Sequence, residues 1–171
     1  MNRVVVTGLG CITPIGNTVE AFRTSLFAGQ TGIAPFPPYP EAPGPTQGLR
    51  FTQSAAVKNF APRQHLESGV VVSTDRTTHF AIVAARQAAQ HSDLLKHHAP
   101  ENIAIIVGCS CGGRQAEETE TAKLYTRDAR VHPLTVTRTM ASAGSSHISI
   151  DLGITGPVLN ISTACASGTH A

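Results

Sequence analysis

A single cysteine set among small residues constrains this chain more than any other feature. Residues 156–161 read Gly-Pro-Val-Leu-Asn-Ile, a β-prone run that leads through Ser-Thr-Ala into Cys165. This pattern predicts a strand, a sharp turn and the first turn of a helix, with the thiol presented at the turn. A helix N-terminus favours the thiolate, which is the attacking form of cysteine, through unpaired N–H groups and the positive end of its dipole. We therefore predict that Cys165 is a nucleophile.

The neighbours of the sulfur fit acyl transfer. Residues 164–168 read Ala-Cys-Ala-Ser-Gly, and these small side chains leave room for an acyl group. The backbone N–H of Cys165 could then donate to the oxyanion of a tetrahedral intermediate. Free cysteine is most often a small buried core residue, and that interpretation is preferred for the other three cysteines, Cys11, Cys109 and Cys111.

The composition fits one globular unit of 171 residues with a net charge of +2. Only 14% of the residues are charged, which favours an oligomer. No basic run is interleaved with aromatic residues, so we expect no nucleic-acid partner. We expect no signal region and no membrane span, because the chain enters a predicted strand at once and lacks a long apolar run. Four cysteines without extracellular spacing predict reduced thiols and a cytoplasmic location.

Strands alternate with helices along the chain, which predicts an α/β fold with a mostly parallel sheet covered by helices. The helix that ends near His91 should be capped by Ser73 or Thr74 and should bury Phe80, Val83, Ala84 and Ala88. The other predicted helices are 19–28, capped by Asn17 or Thr18, 116–125, and one within 136–150. The predicted strands are 3–9, which should be buried, 54–59, a strand or edge segment, 103–107, which should be buried on both faces, and 158–161.

Several patterns that could suggest other chemistry do not support it. Residues 35–45 contain six prolines, which predicts an irregular surface loop. Gly8 and Gly10 follow a predicted strand, but a dinucleotide fingerprint needs glycine at position 13, which is threonine. The Cys-Ser-Cys run at 109–111 lacks the second ligand pair of a zinc site, so no metal is predicted.

Residues 163–168, Thr-Ala-Cys-Ala-Ser-Gly, resemble the nucleophile motif of the elongating β-ketoacyl-acyl carrier protein synthases, the ketosynthases of the thiolase superfamily. The resemblance implies a thiolase-like fold of two similar halves, whose sheets pack back to back between layers of helices. Residues 1–171 would be the N-terminal half, incomplete at its C-terminal end and with no second domain. Five further segments match in the family's order: 4–17, 26–33, 75–81, 108–113 and 147–157.

The resemblance also implies a reaction. Cys165 would take an acyl group from the phosphopantetheine of an acyl carrier protein, and malonyl-carrier would lose carbon dioxide to give the attacking carbanion. The product would be a β-ketoacyl-carrier in fatty acid or polyketide elongation, with no further cofactor. The family's two catalytic histidines belong to the second half, so we expect residues 1–171 alone to be inactive. None of the eight histidines here is assigned as a base, and His170 is expected to point away from the sulfur.

Two positions depart from the related synthases in a way that bears on substrate choice. There, residues 108–113 would read Gly-x-Gly-x-Gly-Gly with a large aliphatic residue that gates the acyl pocket. Here Ser110 replaces a glycine and Cys111 replaces the gate. We expect the smaller Cys111 to admit a longer, bulkier or more rigid acyl chain.

The resemblance implies an acyl carrier protein as partner, and a dimer that joins through residues 158–161 of two subunits. Residues 134–140 would then lie near the partner's acyl pocket, although His132-Pro133 departs from the usual Ser-Pro. The dimer could be a homodimer or a ketosynthase/chain-length-factor heterodimer. In the alternative reading the chain is the non-catalytic chain-length factor, a class that generally lacks the cysteine, so the presence of Cys165 favours the enzyme.

Overall fold

A computed structural model describes residues 3–35, 52–126 and 130–171. Short 3₁₀ turns lie at Pro62–Gln64, Pro100–Asn102 and Ala164–Ala166. The helices are α1 Val19–Phe27, α2 Ser68–Ser73, α3 Arg76–His91, α4 Leu94–His97, α5 Arg114–Thr126, α6 Thr135–Thr139, α7 Ala143–Leu152 and α8 Ser167–His170. The strands are β1 Ala34–Pro35, β2 Gln53–Ser54, β3 Ile105–Gly108 and β4 Val158–Ile161.

The two longer strands, β3 and β4, pair in parallel, with Ile105 opposite Val158 and Gly108 opposite Ile161. This confirms the predicted strands at 103–107 and 158–161 and their parallel direction. The prediction that 103–107 is buried on both faces is wrong, because Ile105 is buried while Ile106 is 47% exposed. Alternate side chains of a strand point to opposite faces, and the face of Ile105 is the one that packs into the apolar core.

The core lies between that face of the sheet and the helices α3 and α7. An ion pair on the same side joins the two helices, since the guanidinium of Arg86 contacts Asp151 through two nitrogens and also donates to the His65 carbonyl at 2.6 Å. The sheet is therefore held from one side by a continuous apolar layer. The buried apolar members of this layer are Phe60, Leu66, Ile82, Val83, Ile103, Ile105, Ile148 and Ile154.

The predicted buried strand at 3–9 is wrong. Described residues 3–12 form no ladder, and Val4 is 91% exposed. The N–H of Leu9 instead donates to His91 Nδ1 at 3.1 Å, and the N–H of Cys11 donates to Gln87 Oε1 at 3.1 Å. Side chains of α3 thus take the hydrogen bonds that a neighbouring strand would have taken.

The first helix agrees with prediction. The Thr18 hydroxyl accepts the N–H of Ala21 at 3.1 Å, which is the expected N-cap interaction. The helix ends at Phe27, and Gly29 adopts the left-handed conformation (φ +66°) that favours glycine at such an end.

The predicted cap of α3 is wrong by one or two residues. The Thr74 hydroxyl donates to the Val70 carbonyl at 2.6 Å, so it closes the preceding helix α2. The buried Asp75 caps α3 instead, accepting the N–H of Thr77 at 2.9 Å. Its second oxygen accepts the N–H of Ala116 at 2.8 Å, so one carboxylate satisfies the first turns of both α3 and α5.

The predicted buried face of α3 is only partly correct. Val83 is buried as expected, whereas Phe80, Ala84 and Ala88 are half-buried. The residues that α3 buries are Thr78, His79, Ile82, Val83 and Ala89, so the buried stripe is turned slightly around the helix.

The other predicted helices are present, whereas the predicted strand at 54–59 is almost entirely absent. The helices at 116–125 and within 136–150 are confirmed, the second region forming two helices, α6 and α7. Of the predicted segment 54–59, only Ser54 lies in a strand, which pairs antiparallel with β1. Of the predicted proline-rich loop at 35–45, Pro35 lies in β1, and 36–45 lie outside the described residues. None of the helices in the described ranges has both the length and the apolar character needed to cross a bilayer.

Candidate active site

Cys165 lies on the connection between β4 and α8. The strand ends at Ile161, the 3₁₀ turn Ala164–Ala166 follows, and α8 begins at Ser167. The predicted order of strand, sharp turn and helix is therefore present, with the cysteine in the 3₁₀ turn just before the α-helix. Its side chain is exposed and free of any disulfide.

The turn before the cysteine is strained and is held by one buried hydroxyl. Ala164 has φ +50°, a left-handed conformation that costs a residue with a side chain about 1–3 kcal/mol. Ser167, which is 4% exposed, donates through Oγ to the Ala164 carbonyl at 2.6 Å. The same oxygen accepts the N–H of Thr163 at 2.9 Å. Ser167 therefore fixes the backbone on both sides of the strained residue.

Gly108, the last residue of β3, packs against the start of α8 beside this turn. A Cβ on Gly108 would lie 2.4 Å from the carbonyl oxygen of Ser167 and 2.6 Å from the N atom of Gly168. Both are backbone atoms, so no side-chain rotation could relieve the overlap. Glycine at 108 is thus the residue that lets α8, and with it the cysteine turn, sit directly against the end of β3.

The backbone N–H of Cys165 takes part in no hydrogen bond among the described residues. Among the hydrogen bonds that the described residues make around this turn, the N–H of Ala166 donates to Thr163 at 3.1 Å and none uses the N–H of Cys165. The nearby His170 ring lies 2.9 Å from the Thr163 hydroxyl through Nδ1. The arrangement leaves an exposed thiol and an unengaged N–H on the same residue, which is what acyl transfer to sulfur requires.

The loop that carries Ser110 and Cys111 reaches the same end of the sheet. The N–H of Cys109 donates to the Ile161 carbonyl at 3.0 Å, and the Ser162 hydroxyl donates to the Ser110 carbonyl at 3.4 Å. Carboxyl ends of adjacent parallel strands meet at one edge of a sheet. The structure therefore brings the predicted substrate-binding residues beside the turn that precedes Cys165.

Within this loop the thiols have modest polar contacts. Cys111 is exposed, with Sγ 3.4 Å from the Ser110 hydroxyl, and Cys109 is half-buried and accepts the N–H of Gly112 at 3.3 Å. The interpretation of the three cysteines as buried core residues is therefore wrong for the exposed Cys111, and Cys11 and Cys109 are only half-buried. The exposure of Cys111 follows from its place on a loop beyond the strand end.

Two histidines have environments that the sequence did not reveal. Burial lowers the pKa of His79, although the charge of Asp75 acts in the opposite direction. Burial also lowers the pKa of the half-buried His147. Both rings are therefore neutral at physiological pH.

Sequence reasoning missed the residues that position the site. Ser167 was noted only for its small size, and Glu120, which is buried next to Arg138 on α6, was not singled out at all. A serine three residues after Ala164 and a carboxylate three residues before Lys123 are both consistent with ordinary exposed helix positions. Only the folded packing distinguishes them.

The comparison with known proteins agrees with this geometry. All of residues 1–171 match the family model described as Beta-ketoacyl synthase, N-terminal domain. The chain belongs to the β-ketoacyl synthase family. A curated relative of this synthase domain, 3-oxoacyl-[acyl-carrier-protein] synthase 2 of Synechocystis sp., is 34% identical over 171 residues, which cover 99% of this chain and 40% of that protein.

Solved structures confirm the predicted thiolase-like α/β fold of the synthase domain. The ishigamide ketosynthase/chain length factor has a TM-score of 0.84 at 25% identity, over 98% of this chain and 41% of that one. A type II PKS acyl-carrier protein in complex with its ketosynthase has a TM-score of 0.77 at 23% identity, over 100% and 44% of the two chains. The sequence thus spans well under half the length of the proteins that it matches.

Replacing Gly108 by alanine should destabilise the β-ketoacyl synthase domain by about 1–3 kcal/mol, because the new methyl group overlaps the backbone of α8. Gly144→Ala is the matched control, since a Cβ there would make an ordinary contact of 3.5 Å with Ala81. Denaturant unfolding would compare the two variants. Equal midpoints for Gly108→Ala and Gly144→Ala would contradict the proposed contact.

Proposed function

We propose that this chain supplies the nucleophile of a decarboxylating condensing enzyme. Cys165 accepts an acyl group from the phosphopantetheine thioester of an acyl carrier protein. The observation that carries the proposal is the exposed thiol on a strained turn, next to an N–H that none of the described hydrogen bonds uses. The names of the relatives, which are acyl-carrier-protein synthases, support the same chemistry.

In the first half-reaction the sulfur of Cys165 attacks the thioester carbonyl, and the carbonyl oxygen becomes an oxyanion. The N–H of Cys165 donates to that oxyanion, which stabilises the tetrahedral intermediate. The carbon–sulfur bond to phosphopantetheine then breaks, and the carrier thiol leaves with a proton. The acyl group is now a thioester on Cys165.

In the second half-reaction malonyl-carrier loses carbon dioxide, and the resulting carbanion attacks the acyl thioester on Cys165. The new carbon–carbon bond gives the β-ketoacyl-carrier and releases the Cys165 thiolate. We propose that two catalytic histidines and a second oxyanion donor come from a part of the protein outside these residues. Residues 1–171 alone are accordingly proposed to be inactive, and the products to belong to fatty acid or polyketide elongation.

The proposed partners are an acyl carrier protein and a second ketosynthase-type subunit. Within the described residues β4 pairs only with β3, and Leu159 on β4 is 52% exposed. An unpaired edge with exposed apolar side chains supports strand pairing with a second subunit across a two-fold axis. We further propose a cytoplasmic location and no cofactor beyond the phosphopantetheine of the carrier.

A second candidate function is that of a non-catalytic chain-length factor. The likeness to the ishigamide ketosynthase/chain length factor supports this second function, because that assembly contains both kinds of subunit. The cysteine distinguishes them: a chain-length factor would have no use for an exposed thiol on a strained turn.

Replacing Cys165 by alanine in the complete protein should abolish acyl loading, because no other thiol occupies the turn. Intact-mass measurement after incubation with an acyl carrier protein thioester would detect the covalent adduct. Cys11→Ala is the control and should load normally, since Cys11 is half-buried and its backbone is bonded to Gln87 of α3. Acyl loading that survives in Cys165→Ala would refute the enzyme and favour the chain-length factor.

We propose that Ser110 and Cys111 line the acyl pocket, and that the small Cys111 side chain admits a longer, bulkier or more rigid acyl chain. Their loop lies beside the cysteine turn through the contact of Ser162 with Ser110. Cys111→Ile should shorten the products, because the larger side chain occupies part of the pocket. Product lengths measured by mass spectrometry that match those of the unsubstituted protein would exclude this role.

A further inference from the structure

Glu120 on α5 is a carboxylate buried to 2% exposure. Its Oε1 lies 2.7 Å from Lys123 Nζ and 3.6 Å from Arg138 Nη1. Its Oε2 accepts the backbone N–H of His132 at 2.7 Å. A carboxylate removed from water in this way is strongly unfavourable unless its partners compensate for the lost hydration.

The partners of Glu120 do compensate. Burial by itself raises its pKa, but the hydrogen bonds from Lys123 and the His132 N–H, with the charges of Lys123 and Arg138, outweigh that effect and leave the pKa below its ordinary value. The side chain is therefore ionised at neutral pH.

Glu120 contacts residues at both ends of the short helix α6. The His132 carbonyl accepts the N–H of Thr135 at 2.9 Å, where α6 begins, and Arg138 lies in its last turn. One carboxylate on α5 thus holds α6 at both ends. An isolated helix of five residues has little stability of its own, so its position depends on such contacts.

The end of α6 in turn supports the loop 109–113. The N–H of Gly113 donates to the Thr139 carbonyl at 3.3 Å. A Cβ on Gly112 would lie 2.4 Å from Thr139 O, and one on Gly113 would lie 2.0 Å from Arg138 O. The two backbones are in such close contact that a shift of α6 must also move the residue before Gly112, which is Cys111.

We propose that Glu120 is a positioning residue for acyl-chain selection: by holding α6 it fixes the loop that carries Cys111. The selection step rests on the proposed function, whereas the mechanical link from Glu120 to the loop does not. Glu120 touches no reacting group, and it acts only through α6 and the glycines at 112 and 113.

Hydrogen exchange of the complete protein tests the link without any acyl substrate. Glu120→Gln keeps the shape of the side chain and removes its charge. The amide of Gly113 should then exchange roughly tenfold faster or more, because the loop opens locally with less cost. Glu117→Gln is the matched control: Glu117 lies on the same helix in an exposed pair with Arg114 at 2.7 Å, and exchange at Gly113 should change less than about twofold.

Equal exchange at Gly113 in Glu120→Gln and Glu117→Gln would overturn the inference. If Glu120→Gln does not fold, Arg138→Gln removes one cation while Lys123 still compensates Glu120. Exchange at Gly113 should then rise roughly threefold or more, and no rise would again overturn the inference.

Product analysis adds a readout that a merely stabilising residue would not change. Glu120→Gln should broaden the product lengths while Cys165 still loads an acyl group, and unchanged product lengths would overturn the role in selection. Failure of Cys165 to load in the unsubstituted protein would instead count against the proposed function. The exchange result would remain interpretable in that case.

Discussion

The close backbone contact between the end of β3 and the start of α8 is the constraint on which the site depends. Gly108 meets the carbonyl of Ser167 at a separation that no other residue type would permit. This contact sets α8 against the sheet, and the Ser167 hydroxyl then holds the strained Ala164 in place. These contacts fix the backbone on either side of Cys165 in the conformation that leaves its thiol exposed. The position of the thiol is therefore a consequence of packing.

Buried polar groups also position the loop 109–113, which follows β3. Asp75 joins the first turns of α3 and α5, and Glu120 joins α5 to α6. Both oxygens of the buried Asp75 accept backbone N–H groups, whereas the buried Glu120 accepts one backbone N–H through Oε2 and contacts Lys123 and Arg138 through Oε1. These contacts offset the cost of burying each carboxylate. The glycines that follow Cys111 then pack on the end of α6. Both sides of the candidate site are therefore positioned by backbone contacts and buried polar groups, while the apolar core lies on the opposite side of the sheet.

The sequence predicted the features that local pattern determines. Cys165 on a strand–turn–helix connection follows from residue types within ten positions, and so does the Thr18 cap of α1. The prediction of a strand at the N-terminus was wrong because strand pairing depends on a partner that is distant in sequence. In the structure, side chains of α3 such as Gln87 accept the backbone N–H groups of this segment instead. The burial of Glu120 was equally invisible, since its spacing from Lys123 is also typical of an exposed helical pair. Non-local packing decides such cases, and a single sequence does not encode it in any short window.

Competitive alkylation of the four cysteines in the complete protein tests the central claim most directly. Cys111 and Cys165 are both exposed, so exposure alone would label them at similar rates. A limiting amount of iodoacetamide should label Cys165 roughly tenfold faster or more than Cys111, because Cys165 lies on a strained turn next to an unengaged backbone N–H. Equal labelling of the two thiols, or faster labelling of Cys111, as measured by peptide mass spectrometry, would contradict that claim.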